Sequence, residues 1–378
     1  MKHKVDRNKI RGFGIFSTLF LSLVGFGVFT YSQNIGKILG NSGFFLTFVY
    51  GLIYMFFIMM IYKTVKLNKY KNFEDIVENL FGKIIGRTFL FLISFFIIFL
   101  ISIQLRIFID SIKVYILPNI NSEFMIIITL LVCYYVSREG DKVLPGLNEI
   151  MFVFLSIFCL IILVIVYKNL DVSNILPLEL KQSSLYTKGF LTLSSYFSGG
   201  IILFYLLPMY KTEEKSKIHV SYKSTIFSFV FLAFVFLLCV SILNINQTIK
   251  SVWPIILAFT TVDVPGGFVE RVEGIIITIA IVFFIMNFVN LYFYASYINS
   301  KSLGAYKHKI SSTMFIPIIY VLTLIPRNLN DINFIMNKLV FPISIFISFF
   351  VPTLLFLASY IKNIFKLKGG LEDEKDIA

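Results

Sequence analysis

A chain of 378 residues that is 57% hydrophobic and only 15% charged, with a mean hydropathy of +0.85, lies outside soluble composition, which is nearer half apolar and a quarter charged. The net charge of +13 is spread in short basic runs between apolar stretches, which excludes the aromatic-interleaved basic patch that tracks a phosphate backbone. Cys133, Cys159 and Cys239 are scattered and His3, His219 and His308 do not cluster, so neither a disulfide framework nor a His/Cys metal site is expected.

These features describe an all-α integral membrane protein, and a span needs about 20 apolar residues. The basic N-terminus (MKHKVDRNKIRGFG) runs straight into a long apolar segment with no small-residue cleavage site, so it reads as the start of a first span, 12–39, and not as a removed leader. Near the middle of that span stand Gly25, Phe26, Gly27 and Val28, with Thr30 and Tyr31 close behind. Adjacent glycines weaken a helix and free its backbone, so an interruption is expected there. The second span is 42–62. Residues 73–81 (FEDIVENLF) alternate apolar and acidic residues at helical spacing and read as an amphipathic helix on the inner surface.

The third span, 87–112, carries Gln104, Arg106 and Asp110. Arg106 and Asp110 are four apart and can pair along a helix, and their place near the outer end favours an interfacial pair or gate over a ligand contact. The fourth span, 123–136, is short, and Ser137-Arg138-Glu139-Gly140 follows it. The fifth, 143–167, opens with Asn148 and Glu149, placed to brace an inner gate. The sixth, 189–210, contains Ser195, Tyr196, Phe197, Ser198, Gly199 and Gly200, a second expected interruption. The seventh is 221–243. Trp253-Pro254 precedes the eighth, 267–297, which opens on Gly267-Phe268-Val269-Glu270-Arg271-Val272-Glu273. Glu270 and Glu273 suit a helix N-terminus. A structural role there and a role with Arg271 as outer gate or subunit contact are both open. Deeper in the span, Asn287 and Asn290 are expected to bond another helix, because an unpaired amide is costly in hydrocarbon. A short ninth span, 310–325, a tenth, 339–361, and a tail, 362–378, complete the chain.

Cytoplasmic loops carry excess Lys and Arg. Of the 34 such residues, 24 fall on the side of the termini and 9 on the other, with Arg106 inside a span. Both termini are therefore expected inside, which requires an even number of spans, as ten is. One interrupted span opens the first five (12–167) and the other opens the second five (189–361). Five plus five is the inverted-repeat arrangement of LeuT-like secondary transporters, in which half-helix ends near the midplane hold a small ligand. Small residues also let helices pack closely, which suffices for a single GxG. Two interruptions in corresponding positions favour a site. Its walls would be Gly25, Phe26, Gly27, Val28, Thr30 and Tyr31 facing Ser195, Tyr196, Phe197, Ser198, Gly199 and Gly200. For any one aromatic among these, interior packing remains an equal alternative.

Ser137-Arg138-Glu139-Gly140 with Leu147-Asn148-Glu149, Trp253-Pro254, and above all the Phe-x-Glu-Arg-x-Glu element at 268–273 carry a resemblance over nearly the whole chain. The chain resembles spore germination proteins of the GerAB type, the permease-like B subunits of nutrient germinant receptors in endospore-forming bacteria. The resemblance implies an amino acid–polyamine–organocation (APC) transporter fold and nutrient sensing, often of an amino acid, in the spore inner membrane. It also implies two partners, an A-type and a C-type subunit. A germinant-sensing subunit is the first expectation. An amino-acid permease with proton coupling is the alternative, and a non-binding subunit lining an ion-release channel is the third. No GxSxG, P-loop or HExxH element occurs, so neither an enzyme nor a cofactor is expected.

Overall fold

A computed structural model describes residues 11–178, 181–210, 214–261, 272–303 and 308–375. All the regular structure among them is helical. The elements in chain order are α1 (Gly12–Val24), α2 (Gly27–Leu39), α3 (Gly43–Leu67), α4 (Phe73–Phe81), α5 (Lys83–Tyr115), α6 (Ser122–Arg138), α7 (Gly140–Val166) and α8 (Ser183–Phe197). They continue with α9 (Leu203–Met209), α10 (Glu214–Lys250), α11 (Pro254–Thr260), α12 (Val272–Ser302), α13 (His308–Leu324), α14 (Leu329–Ile335), α15 (Phe341–Ile345) and α16 (Val351–Lys375).

Among the described residues, seven helical stretches are long and apolar enough to cross a membrane: Gly27–Leu67, Lys83–Tyr115, Val143–Val164, Ser183–Met209, Ser216–Lys250, Ile277–Ser302 and Leu329–Phe365. Gly12–Val24 and His308–Leu324 are shorter apolar helices. Large apolar side chains such as Leu52, Ile150, Leu160, Val164 and Val321 point outward. An apolar belt of that extent suits lipid and not water. Buried hydroxyls turn to carbonyls of their own helix, as Ser22 does to Thr18 (2.7 Å), Thr64 to Met60 (2.8 Å) and Ser102 to Ile98 (2.7 Å). That is how a helix satisfies polar groups where water is absent. The chain is an integral membrane protein built of helices.

Both expected interruptions are present, and they differ in kind. Between α1 and α2 the break is confined to Gly25 and Phe26, whose backbones stay right-handed (φ −52°, ψ −43° and φ −79°, ψ −31°). Between α8 and α9 the chain tightens into five residues of 3-10 helix, Ser198–Ile202. The last long helix holds two five-residue π-helical segments, Met336–Val340 and Phe346–Phe350, which hydropathy does not signal. Helix α10 turns at Asn244, whose positive φ (60°, with ψ 167°) breaks the helical path.

The amphipathic helix expected at 73–81 is α4, with Phe73, Ile76 and Val77 buried on one face. Phe73 packs on Phe204 of α9, ring centroids 4.7 Å apart. The motif after α6 also has a structural reading. Lys309 pairs with Glu139 at 3.0 Å, a His308 ring nitrogen lies 3.1 Å from the Arg138 carbonyl, and Ser137 shares a hydroxyl contact of 3.3 Å with Ser312. The α6–α7 corner is thereby held to the start of α13.

Candidate functional site

The two breaks meet. Gly199 lies directly against the Ser22 carbonyl, at a separation that leaves no room for a β-carbon. Gly25 is equally close to the Phe283 carbonyl and the Asn287 side chain of α12. Asn287 Nδ2 donates to the Ser22 carbonyl at 2.8 Å. An amide from α12 thus satisfies a carbonyl just before the break in the first helix. Asn290 exchanges bonds with Asn148 of α7 at 2.8 and 3.2 Å, and Asn148 also donates to Thr18 at 3.1 Å. Asn287 and Asn290 therefore each bond another helix, as expected of buried amides. Replacing Asn287 by Ala is expected to cost about 1–3 kcal/mol, because the Ser22 carbonyl loses its side-chain donor. A thermal melt of the purified protein checks this, and an unchanged melting temperature would sink it.

Tyr196, fully embedded on α8, is the centre of the site. Its hydroxyl contacts Thr30 at 3.0 Å and accepts from Asn34 Nδ2 at 2.9 Å. Its ring stacks on Phe26 (centroids 6.0 Å) and meets Tyr31 edge-on (5.9 Å). Beyond the Thr30 and Asn34 contacts lies a cavity of about 370 Å³, lined by Thr30, Gln33, Asn34 and Lys37 of α2, by Thr192 of α8, and by Asn333, Met336 and Asn337 from the π-distorted last helix, with Ile107 and Phe341 among its apolar walls. Such a volume falls in the range of small-molecule sites. A π segment at a cavity wall is also a frequent companion of function.

The expected pocket residues separate into groups. Thr30 lines the polar cavity, and Tyr196 stands behind that wall, bonded to Thr30 and Asn34. Val28 lines a different, apolar crevice with Phe20, Phe231 and Phe283. Gly25, Gly27, Gly199 and Gly200 set the close approach of helices. Phe26 is a stacking partner of Tyr196. Tyr31 is buried and bonds Thr47. Ser195 and Ser198 turn their hydroxyls to the carbonyls of Thr192 (2.8 Å) and Ser195 (2.9 Å). Phe197 faces α3, where Tyr54 donates to its carbonyl at 2.7 Å.

Arg106 and Asp110 pair at 3.0 Å and line a second polar cavity next to the first. At the start of α7 it is Asn148 that makes the interhelical bonds, while Glu149 is half-buried. Glu270, Arg271 and the side chain of Glu273 lie outside the described residues. Asn34, Lys37, Asn333 and Asn337 were not among the expected site residues. A signal existed for two of them: Thr30, Gln33, Asn34 and Lys37 fall at i, i+3, i+4 and i+7, a polar stripe on one face of a membrane helix. Among the described residues no group of three or more His, Cys, Asp or Glu could hold a metal.

Comparison with known proteins gives these features a family. The spore permease family model, described as spore germination protein, matches residues 9–332. The chain is 23% identical over 339 residues to spore germination protein GerQB of Bacillus cereus, covering 88% of this chain and 91% of that one. It is 22% identical over 337 residues to spore germination protein B2 of Bacillus subtilis (strain 168), covering 87% and 90%. It is also 22% identical over 371 residues to spore germination protein A2 of the same organism, covering 96% and 99%. A match over most of the chain, on an all-helical membrane fold with two broken helices in contact, means that this protein belongs to the spore germination protein family.

Proposed function

We propose that this chain is the nutrient-sensing subunit of a spore germination receptor, and that it takes a small nutrient, an amino acid, in the cavity above Tyr196. The observation that carries the reading is the polar cavity between α2, α8 and the last helix, two of whose wall residues, Thr30 and Asn34, are tied to the Tyr196 hydroxyl. In this reading the protein has ten spans in a five-plus-five LeuT-like, APC-type inverted repeat, 12–167 and 189–361. Both termini are cytoplasmic, the membrane is the spore inner membrane, and A-type and C-type receptor subunits are its partners. The ligand's polar groups replace the Tyr196 contacts and favour one arrangement of the broken helices over another. A ligand shifts such an equilibrium only by its differential affinity for the two arrangements. The partners then pass the change on.

The test is made in spores that carry single substitutions. Tyr196→Phe removes both hydroxyl contacts, and Asn34→Leu removes one together with a polar wall. Each is expected to change the nutrient concentration for half-maximal germination by on the order of tenfold, the worth of one or two buried hydrogen bonds. Protein levels are expected to stay the same. Unchanged dose dependence in both variants would refute the pocket.

A second reading, a proton-coupled amino-acid permease, draws on the buried carboxylate of Glu74 in α4. Uptake of labelled amino acids into proteoliposomes holding this chain alone separates the two.

A further inference from the structure

The end of the bundle where α5 finishes holds two adjoining polar cavities that share Val252 and Leu329 as walls. One is the cavity beside Thr30 and Asn34. The other, of about 570 Å³, is lined chiefly by Arg106, Asp110, Lys113, Ser122, Arg327 and Asn328. Its charges do not balance. Three cations face the single carboxylate of Asp110. Arg106 meets that carboxylate through Nε alone, at 3.0 Å. The Lys113 ammonium is held by a neutral partner, the Ser122 hydroxyl, at 3.0 Å. Asp331 does not neutralise Arg327: it accepts from the Arg327 backbone N–H, at 3.0 Å. Among the described residues neither the Arg327 guanidinium nor the Lys37 ammonium at the neighbouring cavity has a carboxylate within 4.0 Å.

Cations concentrated in a concave, low-dielectric mouth raise the local concentration of anions. The guanidinium fork and the ammonium are the groups that recognise a carboxylate or a phosphate. The residues arrive from three separate places, the end of α5, the start of α6 and the segment before α14, and they converge on one concavity.

We propose that this outer cavity is a binding site for a small monoanionic oxyanion group, a carboxylate or a phosphate diester, held by Arg327 and Lys113 beside the Arg106–Asp110 pair. The assignment stands whether or not the cavity above Tyr196 is the nutrient pocket. A built-in reporter sits next to it. Trp253 is the chain's only tryptophan, adjoins Val252, and is packed by Phe29, Phe108 and Tyr115 at centroid distances of 4.3, 6.2 and 6.0 Å.

Acetate is the probe, titrated into the full chain in maltoside micelles, which contain no phosphate. Saturation-transfer NMR on the acetate methyl group detects weak binding, and Trp253 emission follows it in parallel. Saturable transfer from acetate and none from methylammonium is expected. The double substitution Lys113→Gln with Arg327→Gln should weaken acetate by about tenfold or more, a loss of one or two exposed charge-assisted bonds. Lys113→Arg with Arg327→Lys, which keeps both charges, should bind within about threefold of wild type. Reconstitution with phosphatidylglycerol then separates the two sources of the anion. Displacement of acetate by the lipid assigns the site to a headgroup phosphate, and undiminished acetate binding assigns it to a soluble carboxylate. No saturable acetate signal in the wild type, equal affinity in the double glutamine variant, or equal binding of methylammonium would each overturn the proposal. Weakened acetate binding with an unchanged nutrient response would leave the reading of the inner cavity intact.

Discussion

Gly199→Ala is expected to lower the stability of the purified protein by about 3 kcal/mol, and Gly25→Ala by a similar amount, because the added carbon in each case has nowhere to go. The β-carbon at Gly199 would run into the backbone carbonyl of Ser22, and the one at Gly25 into the backbone carbonyl of Phe283. A flexible side chain could swing aside, but a backbone carbonyl moves only with its helix. The Ser22 carbonyl is further pinned by Asn287. The two variants act at one crossing, so their costs should not add. Gly146→Ala in α7 is the control. Beyond its own stretch of helix backbone nothing lies within 4 Å of the added carbon, and alanine should stabilise that helix by about 0.5–1 kcal/mol. Melting temperatures of the three variants in one detergent decide the matter. A Gly199→Ala protein that melts with the wild type would show that the helices do not cross as closely as described. A spore phenotype of either glycine variant therefore has to be read beside protein stability, since even one methyl group disturbs the crossing.

Glu74→Gln is expected to remove most of the pH dependence of stability between about pH 4.5 and pH 8. Glu74 sits on α4 with 5% of its surface exposed, and neither carboxylate oxygen has a partner at hydrogen-bonding geometry among the described residues. Burial pushes its carboxyl up from an ordinary 4.5 to about 7. Its own backbone N–H, the Lys301 ammonium and the Tyr297 hydroxyl pull the other way, and Asp75 adds to the rise. On helices packed against α4, Arg87 is engaged with Glu78 at 2.8 Å and Lys362 with the Asn79 carbonyl.

The sign follows from the raised value. Below about pH 4.5 the carboxyl is neutral both docked and undocked, and its contribution is fully present. As pH rises from about 4.5 the undocked carboxylate ionises first, so stability falls until pH passes about 7, by up to about 3 kcal/mol. Wild-type melting temperature should therefore fall with rising pH across this window, while Glu74→Gln stays flat and is the more stable protein at the alkaline end. Parallel profiles would mean that Glu74 is solvated. Because Phe73 next door packs on Phe204 below the second break, a looser α4 at higher pH also loosens the underside of the site.

Much of this architecture is a local property of the chain. Whether a run such as 87–112 is a membrane helix depends on the summed transfer free energy of about 20 neighbouring side chains, and α5 covers that run and extends it at both ends. The breaks at Gly25 and at Ser198–Ile202 were legible for the same reason, since each is a short cluster of residues that hold a helix poorly. The amphipathic helix α4 was legible from its period, yet the burial of Glu74 was not. Which face of a helix is covered depends on what other helices bring to it, here Lys301 and Tyr297 of α12.

The sequence by itself therefore determined the membrane class, the helical segments, their two interruptions and a family resemblance. Only the tertiary structure decided which polar groups face a cavity. Thr30, Thr192 and Asn337 lie more than a hundred residues apart in the chain and meet there because α2, α8 and a π-distorted last helix converge. It also decided that Ser195, Ser198 and Tyr31 do not line that cavity and that their hydroxyls bond Thr192, Ser195 and Thr47 instead. In a medium without water a buried hydroxyl takes the nearest acceptor, and that acceptor is set by three-dimensional packing and not by spacing along the chain.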